Sequence, residues 1–149
     1  MTKQSIKPLI DGLSYLLADT YVLYVKTQNF HWHIEGPYFY AYHHMFEEQY
    51  EALAKASDMI AERIRALDHQ APASLSAFLK LTSLKETDAR LDAKQMIKTL
   101  LKDHETIANR LSKLLTIAQH CDDEVTLDLF IERKAEHEKI AWMLRSTSA

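Results

Sequence analysis

Apolar side chains recur at every third or fourth position over four long stretches of the chain, which is the spacing of one buried face of an α-helix. Leu9, Leu13 and Leu16 belong to the first stretch, and Phe46 and Leu53 belong to the second. The pattern predicts four helices of roughly 20 to 30 residues each. Their expected bounds are Ile6 to His33, Tyr38 to Leu67, Asp88 to Gln119 and Asp123 to Arg145.

Turn-forming residues separate these predicted helices. Gly36-Pro37 separates the first predicted helix from the second. Asp122-Asp123 separates the third from the fourth and caps the fourth. The longer middle connection has apolar residues at helical spacing between Ala77 and Leu81, and Ser83 to Glu86 reads as a capping box for the third long helix. Short connections join antiparallel helices, so the sequence predicts an all-α four-helix bundle with a short extra helix in the long middle connection.

Composition favours long helices in one domain. The chain has 149 residues, of which only two are Gly and three are Pro, and 47% of it is hydrophobic. So few turn formers argue against a turn-rich β protein, and so many apolar side chains argue against intrinsic disorder. We therefore expect residues 1–149 to form a single domain.

Charge, cysteine content and the N-terminus narrow the class of protein. No apolar run reaches the roughly 18 residues of a membrane span, and the N-terminus lacks the apolar segment of a signal peptide. The single cysteine, Cys121, cannot form an internal disulfide, which fits a reducing cytoplasm. The net charge of −3 argues against a dedicated nucleic-acid-binding protein, because such domains are usually basic.

Four polar residues of the second helix form a stripe separate from its apolar face. Measured from His43, Glu47 lies about 40° round the helix, Asp58 about 60° and Glu62 about 100°. His31 lies in the last turn before Gly36-Pro37, so it can approach His43 across the hairpin. Imidazole and carboxylate ligands together suit iron or zinc.

The spacing along the helix constrains how such a site could form. The pair His43/Glu47 and the pair Asp58/Glu62 are about 16 Å apart along the axis, at 1.5 Å per residue. One metal with bonds near 2 Å cannot bridge that gap. Either the two pairs act separately, or a second copy of the helix lies antiparallel against this stripe. A two-fold axis would then build two identical sites from two imidazoles and two or three carboxylates.

Simpler readings remain open from spacing alone. Asp58 and Glu62 could be a solvated helix face, with Arg65 relieving their repulsion. His31 and His43 could be hydrogen-bonded structural residues, or could hold zinc without redox chemistry. We expect the other histidines to be structural or surface residues, and they are His33, His44, His69, His104, His120 and His137.

The run from Asn29 to Ile64 resembles the signature of the Dps family, the miniferritins. The family pattern is His-Trp, a short turn with Gly, a second His, an acid four residues later, then Asp-x-x-x-Glu followed by Arg-Ile. This chain has the same order and spacing, in His31-Trp32, Gly36, His43, Glu47, Asp58 and Glu62-Arg63-Ile64. The last predicted helix is also similar, so the resemblance covers nearly the whole chain.

The resemblance implies a ferritin-like bundle that assembles into a hollow dodecamer with a ferroxidase site at a two-fold interface. His31 and His43 of one subunit and Asp58 and Glu62 of its partner would bind iron, with zinc as a substitute. Glu47 stands where many members have Asp, and its extra methylene would shift the second iron position or make its contact water-mediated. The implied chemistry is oxidation of iron(II) to iron(III), preferably by hydrogen peroxide, with mineral stored in the cavity and DNA protected from oxidative damage.

The resemblance also gives weaker expectations outside the site. Trp32 would pack beside the iron and quench radicals, Glu48 and Glu51 would nucleate mineral, and Asp128 would line an acidic pore at a three-fold axis. A solvated acidic face is the favoured explanation of these carboxylates. Some members bind DNA through lysine-rich tails, whereas this N-terminus has only two lysines. We therefore expect weak DNA binding, and a nucleoid protein with little ferroxidase activity is the alternative function.

Overall fold

The computed structural model describes residues 6–87 and 90–149, and these residues form five helices and no strands. The helices are α1 (Lys7–His33), α2 (Phe39–Ala66), α3 (Leu75–Leu81), α4 (Ala93–His120) and α5 (Glu124–Thr147). The four long helices and the short one in the middle connection confirm the predicted fold class. None of these helices combines the length and apolarity needed to cross a membrane.

The bundle is built from two helical hairpins. α1 packs along α2, α4 packs along α5, and α1 joins the hairpins by contacting α4. The predicted apolar faces supply the core, in which Leu13, Leu16, Phe46 and Phe130 are fully buried. α3 lies against α1, where the Phe78 ring stacks on Tyr21 with 4.7 Å between the centroids.

The turn between α1 and α2 brings the histidine-rich ends of the two helices together. α1 ends at His33, and the Ile34 N–H donates to the Phe30 carbonyl. Gly36 then has a φ of +122°, a left-handed conformation that residues with a Cβ rarely adopt. Pro37 and Tyr38 complete the turn before α2 begins at Phe39, so Pro37 is not the first residue of the helix.

The prediction for the start of the third long helix was wrong. α4 begins at Ala93, its capping box is formed by Asp92 and Gln95, and Asp88 lies outside the described residues. The Ser83 hydroxyl and backbone N–H both donate to the buried carboxylate of Asp19 on α1 instead. Local capping patterns compete with tertiary hydrogen bonds, and at Ser83 the tertiary partner wins.

The turn between α4 and α5 is held by a side-chain cap, as predicted. The Asp123 carboxylate accepts from the Thr126 backbone N–H and from the Arg63 guanidinium of α2. Burial opposes ionisation of this carboxyl, but hydrogen bonds from the Thr126 hydroxyl and backbone N–H and from Arg63 outweigh burial and hold the pKa of Asp123 below its usual range. The contact fixes the C-terminal end of α2, which carries Asp58 and Glu62, against the second hairpin.

Candidate metal centre

His31 and His43 meet across the α1–α2 hairpin, as predicted. Their rings stack with 3.8 Å between the centroids and an interplanar angle of 12°. Each ring also hydrogen-bonds the backbone of the other residue: His31 Nδ1 lies 2.7 Å from the His43 carbonyl, and His43 Nδ1 lies 2.7 Å from the His31 carbonyl. The hairpin therefore fixes both rings in position and in rotation.

These two hydrogen bonds determine which nitrogen of each ring is available. A carbonyl oxygen can only accept, so Nδ1 carries the proton in both residues and Nε2 keeps its lone pair in the neutral ring. A hydrogen bond from the second ring nitrogen to a carbonyl is how metal-binding histidines are usually oriented. The pair is thus prepared to give two imidazole nitrogens to one cation.

Glu47 extends the site along α2. Its Oε1 lies 3.8 Å from His31 Nε2, and its Oε2 lies 3.9 Å from His44 Nδ1. The Tyr50 ring packs edge-on against His31 with 5.2 Å between the centroids. Burial, followed by the nearby carboxylates of Glu47 and Glu51, raises the pKa of Tyr50, so the phenol stays protonated.

Asp58 and Glu62 form an exposed acidic pair farther along α2. A hydrogen bond from Glu62 to Asp58, together with the charge of Asp58, raises the pKa of Glu62. Among the described residues, no Lys, Arg or His side chain forms a salt bridge with either acid. The alternative in which Arg65 pairs with these acids is not observed, because its guanidinium donates to the His69 carbonyl.

One subunit does not assemble a complete metal site. In residues 6–87 and 90–149, no three side chains of His, Cys, Asp or Glu converge closely enough to bind a metal ion. His31, His43 and Glu47 lie at the hairpin end of α2, while Asp58 and Glu62 lie three helical turns away, about 16 Å at 1.5 Å per residue. The first three are neighbours without converging on one point, and the last two lie apart from them.

The residues given weaker roles by the sequence are all on the surface of the subunit. Trp32 follows His31 in α1, but its indole is 63% exposed. Glu48, Glu51 and Asp128 are exposed as well. Their suggested roles in radical quenching, mineral nucleation and iron entry stay predictions, since each role depends on neighbours outside one subunit.

The remaining histidines are divided between the surface and the core. His33 is held by Asn29, and His69 bonds the Leu67 carbonyl. His104 and His137 are fully buried between α4 and α5, with 2.9 Å between their Nδ1 atoms. His44 was expected to be a structural or surface residue without a good partner, but its spacing of three residues from Glu47 places both on one face of α2.

Comparisons with known proteins agree with this architecture. Residues 10–148 match the family model of the ferritin-like domain. The chain is 40% identical to DNA protection during starvation protein 2 of Bacillus anthracis over 140 residues, which is 94% of this chain and 96% of that protein.

Two solved structures extend the likeness to the whole fold. A Dps protein from Bacillus brevis superposes with a TM-score of 0.97 at 32% identity and covers 100% of both chains. A Dps protein from Vibrio cholerae O1, described as a member of a superfamily of ferritin-like diiron-carboxylate proteins, superposes with a TM-score of 0.94 at 31% identity, over 98% of this chain and 92% of that chain. The chain therefore belongs to the Dps family of ferritin-like proteins.

Proposed function

We propose that this protein is a ferroxidase and iron store of the cytoplasm, working at a site shared by two subunits. His31 and His43 of one subunit, with Asp58 and Glu62 of the other, bind iron(II) as the substrate. The observation that carries the proposal is the pair of reciprocal imidazole–carbonyl hydrogen bonds, which leaves both Nε2 atoms free to bind a cation. Zinc, which accepts the same donor atoms, is expected to compete.

The acidic pair is the natural complement of the imidazole pair. Asp58 and Glu62 have no cationic partner within the described subunit, and their mutual repulsion is relieved by a divalent ion. An antiparallel second copy of α2 around a two-fold axis brings this acidic pair beside the imidazoles of its neighbour. A Dps-type dodecamer contains such two-fold contacts and encloses a cavity for the oxidised iron.

The proposed reaction consumes two iron(II) ions and one hydrogen peroxide. Each iron(II) gives up one electron, the O–O bond breaks, and two protons complete two water molecules. Carboxylate ligands favour the 3+ ion over the 2+ ion, so they assist the oxidation. Because peroxide takes both electrons together, no hydroxyl radical is released, and DNA is protected without being bound tightly.

Direct DNA binding contributes little to this proposed protection. Each chain has a net charge of −3, so an assembly of twelve repels phosphate. Lys7, one of the two N-terminal lysines, is in the first turn of α1 and pairs with Asp11 at 2.9 Å; the other, Lys3, lies outside the described residues. We expect DNA retention only at low salt.

A peroxide pulse tests the activity. The protein is loaded with iron(II) without oxygen, peroxide is added, and iron(III) absorbance is followed for the wild type and for His43→Ala/Asp58→Ala. Oxidation should be fast in the wild type and fall to the rate of protein-free buffer in the double variant. A wild type no faster than buffer rules out the ferroxidase.

Mixing two inactive variants tests the shared site. One variant is His31→Ala/His43→Ala and the other is Asp58→Ala/Glu62→Ala. When the two are unfolded together and reassembled, an intact site forms wherever the remaining imidazoles meet the remaining carboxylates, which is about a quarter of all sites for random two-fold pairing. If every site lies within one chain, mixing restores nothing.

A further inference from the structure

The Glu47 carboxylate lies between two imidazoles of the same subunit. Its Oε1 is 3.8 Å from His31 Nε2 on one side, and its Oε2 is 3.9 Å from His44 Nδ1 on the other. The two oxygens therefore face different rings, one on α1 and one on α2. A carboxylate flanked in this way can join two metal positions.

Both separations fit a shared metal ion. Nitrogen and oxygen ligands bind iron-like or zinc-like cations at about 2.1 Å, so two ligands of one ion are at most about 4.2 Å apart. The distances from Glu47 to His31 and from Glu47 to His44 both fall below that limit. An aspartate at position 47 is one methylene shorter and cannot be expected to reach both rings.

The His44 ring is available for such a role. Its side chain is 48% exposed, and no hydrogen bond to either ring nitrogen occurs among the described residues. The Tyr40 ring lies against it with 4.4 Å between the centroids and limits its rotation. His33 is also exposed but differs in this respect, because its Nδ1 is engaged by the Asn29 carbonyl and side chain at 2.9 and 2.8 Å.

We infer that His44 is a ligand of a second metal position, joined through Glu47 to the ion bound by His31. This inference rests on the proposed function, since the partner subunit's acids complete the first position. It assigns a transition-metal dication, iron(II) in the cell, to the side of Glu47 that faces His44. The two electrons needed by peroxide then come from neighbouring ions linked by one carboxylate.

Anaerobic cobalt(II) titration of the assembled protein separates the two positions, because calorimetry counts the ions and the visible bands of cobalt(II) report their ligands. The wild type should bind two ions per subunit. His44→Ala should keep the first, and its affinity for the second should fall by about 100-fold or more, which exceeds the 10- to 100-fold effect of losing an outer partner of a ligand. His33→Ala is the matched control and should bind like the wild type.

The same titration separates failure of the inference from failure of the proposed function. If His44→Ala still binds two ions with wild-type affinity, or if the wild type binds one, the assignment of His44 is wrong while the ferroxidase stands. If the wild type binds none, both are wrong. Glu47→Asp gives an independent check: in that background His44→Ala should have no further effect on binding.

Discussion

His31 and His43 join α1 to α2, whereas His104 and His137 join α4 to α5, and the two imidazole pairs are built differently. In the first pair each Nδ1 bonds a backbone carbonyl, the rings stack, and the Glu47 carboxylate lies nearby. In the second pair the two Nδ1 atoms bond each other in the core, and the Arg133 guanidinium donates to His137 Nε2. One pair faces negative charge and the other faces positive charge.

The guanidinium fixes every proton in the buried pair. Arg133 can only donate, so His137 Nε2, at 3.2 Å from Nη2, accepts. His137 must then carry its proton on Nδ1 and donate it to His104 Nδ1. His104 is left with its proton on Nε2, which has no partner among the described residues. The two accepting nitrogens, His104 Nδ1 and His137 Nε2, are both engaged in hydrogen bonds, so neither has a lone pair available for a cation.

The contrast shows that proximity of imidazoles does not define a metal site. What decides is the group that each second ring nitrogen bonds, and the sign of the charge around the pair. Backbone carbonyls orient the first pair and leave the lone pairs on both Nε2 atoms free. In the second pair, the hydrogen bonds to Arg133 and between the rings occupy the lone pairs. These differences support the proposal of metal chemistry at His31 and His43 and of a structural role for His104 and His137.

Removing one imidazole from the first pair should mainly lower activity, whereas removing one from the second pair should mainly lower stability. His31→Ala should lower the rate of iron(II) oxidation by about 100-fold or more, and it should lower the free energy of unfolding by less than His104→Ala does. His104→Ala should leave the rate per folded subunit unchanged, but it should lower the free energy of unfolding by about 2–4 kcal/mol, because it opens a cavity and leaves His137 Nδ1 unpaired. Peroxide-driven oxidation and urea unfolding at fixed protein concentration measure the two effects.

His33→Ala controls for the loss of an exposed imidazole near the first pair and should change neither quantity. The comparison fails if His31→Ala unfolds the protein as readily as His104→Ala does. It also fails if His104→Ala slows iron oxidation in subunits that remain folded.

The sequence indicated the first pair but gave little sign of the second. His31 and His43 belong to a spaced motif with Glu47, Asp58 and Glu62, and the helical period places them on matching faces. His104 and His137 are 33 residues apart on separate helices, and only the packing of α4 on α5 makes them neighbours. Periodicity predicts which face is buried, but it does not predict which buried polar groups meet.

The starts of α4 and α5 also show where prediction from the sequence succeeds and where it fails. The α5 cap at Asp123 was predictable, because its partner Thr126 is three residues away. The start of α4 was not predictable, because Ser83 hydrogen-bonds Asp19, which is 64 residues away in the sequence. Local patterns are reliable where the competing partner is also local.

Acidification should weaken the fold through the buried pair. Burial, with repulsion from Arg133, lowers the pKa of His104 to about 3, and burial also lowers the pKa of His137 well below 6.5. Both rings are protonated more readily in the unfolded chain, so the free energy of unfolding is highest above pH 6.5 and falls as the pH drops toward 3. At pH 5 the loss should be about 2 kcal/mol for His104, at 1.36 kcal/mol per pH unit, and His137 should add to it.

His137→Gln tests that assignment, because an amide can accept from Arg133 and donate to His104 without titrating. The slope of unfolding free energy against pH between 6.5 and 5 should fall by about half. His69→Gln, an exposed replacement, should leave the slope unchanged. An unaltered slope in His137→Gln would place the acid sensitivity elsewhere in the bundle.

The variant with the smallest expected effect tests whether burial or charge keeps the pKa values of the second pair low. Burial is the larger cause of the low pKa of His104, and the Arg133 charge is the second. Arg133→Gln keeps a donor near His137 Nε2 and removes the charge, so the pKa of His104 should rise only slightly from about 3 and the acid-induced loss at pH 5 should be almost unchanged. Lys134→Gln, which removes a neighbouring positive charge paired with Glu138, should not change it. If Arg133→Gln abolishes the acid sensitivity, charge rather than burial keeps this pair neutral. The two histidine pairs would then differ mainly in the sign of the charge beside them.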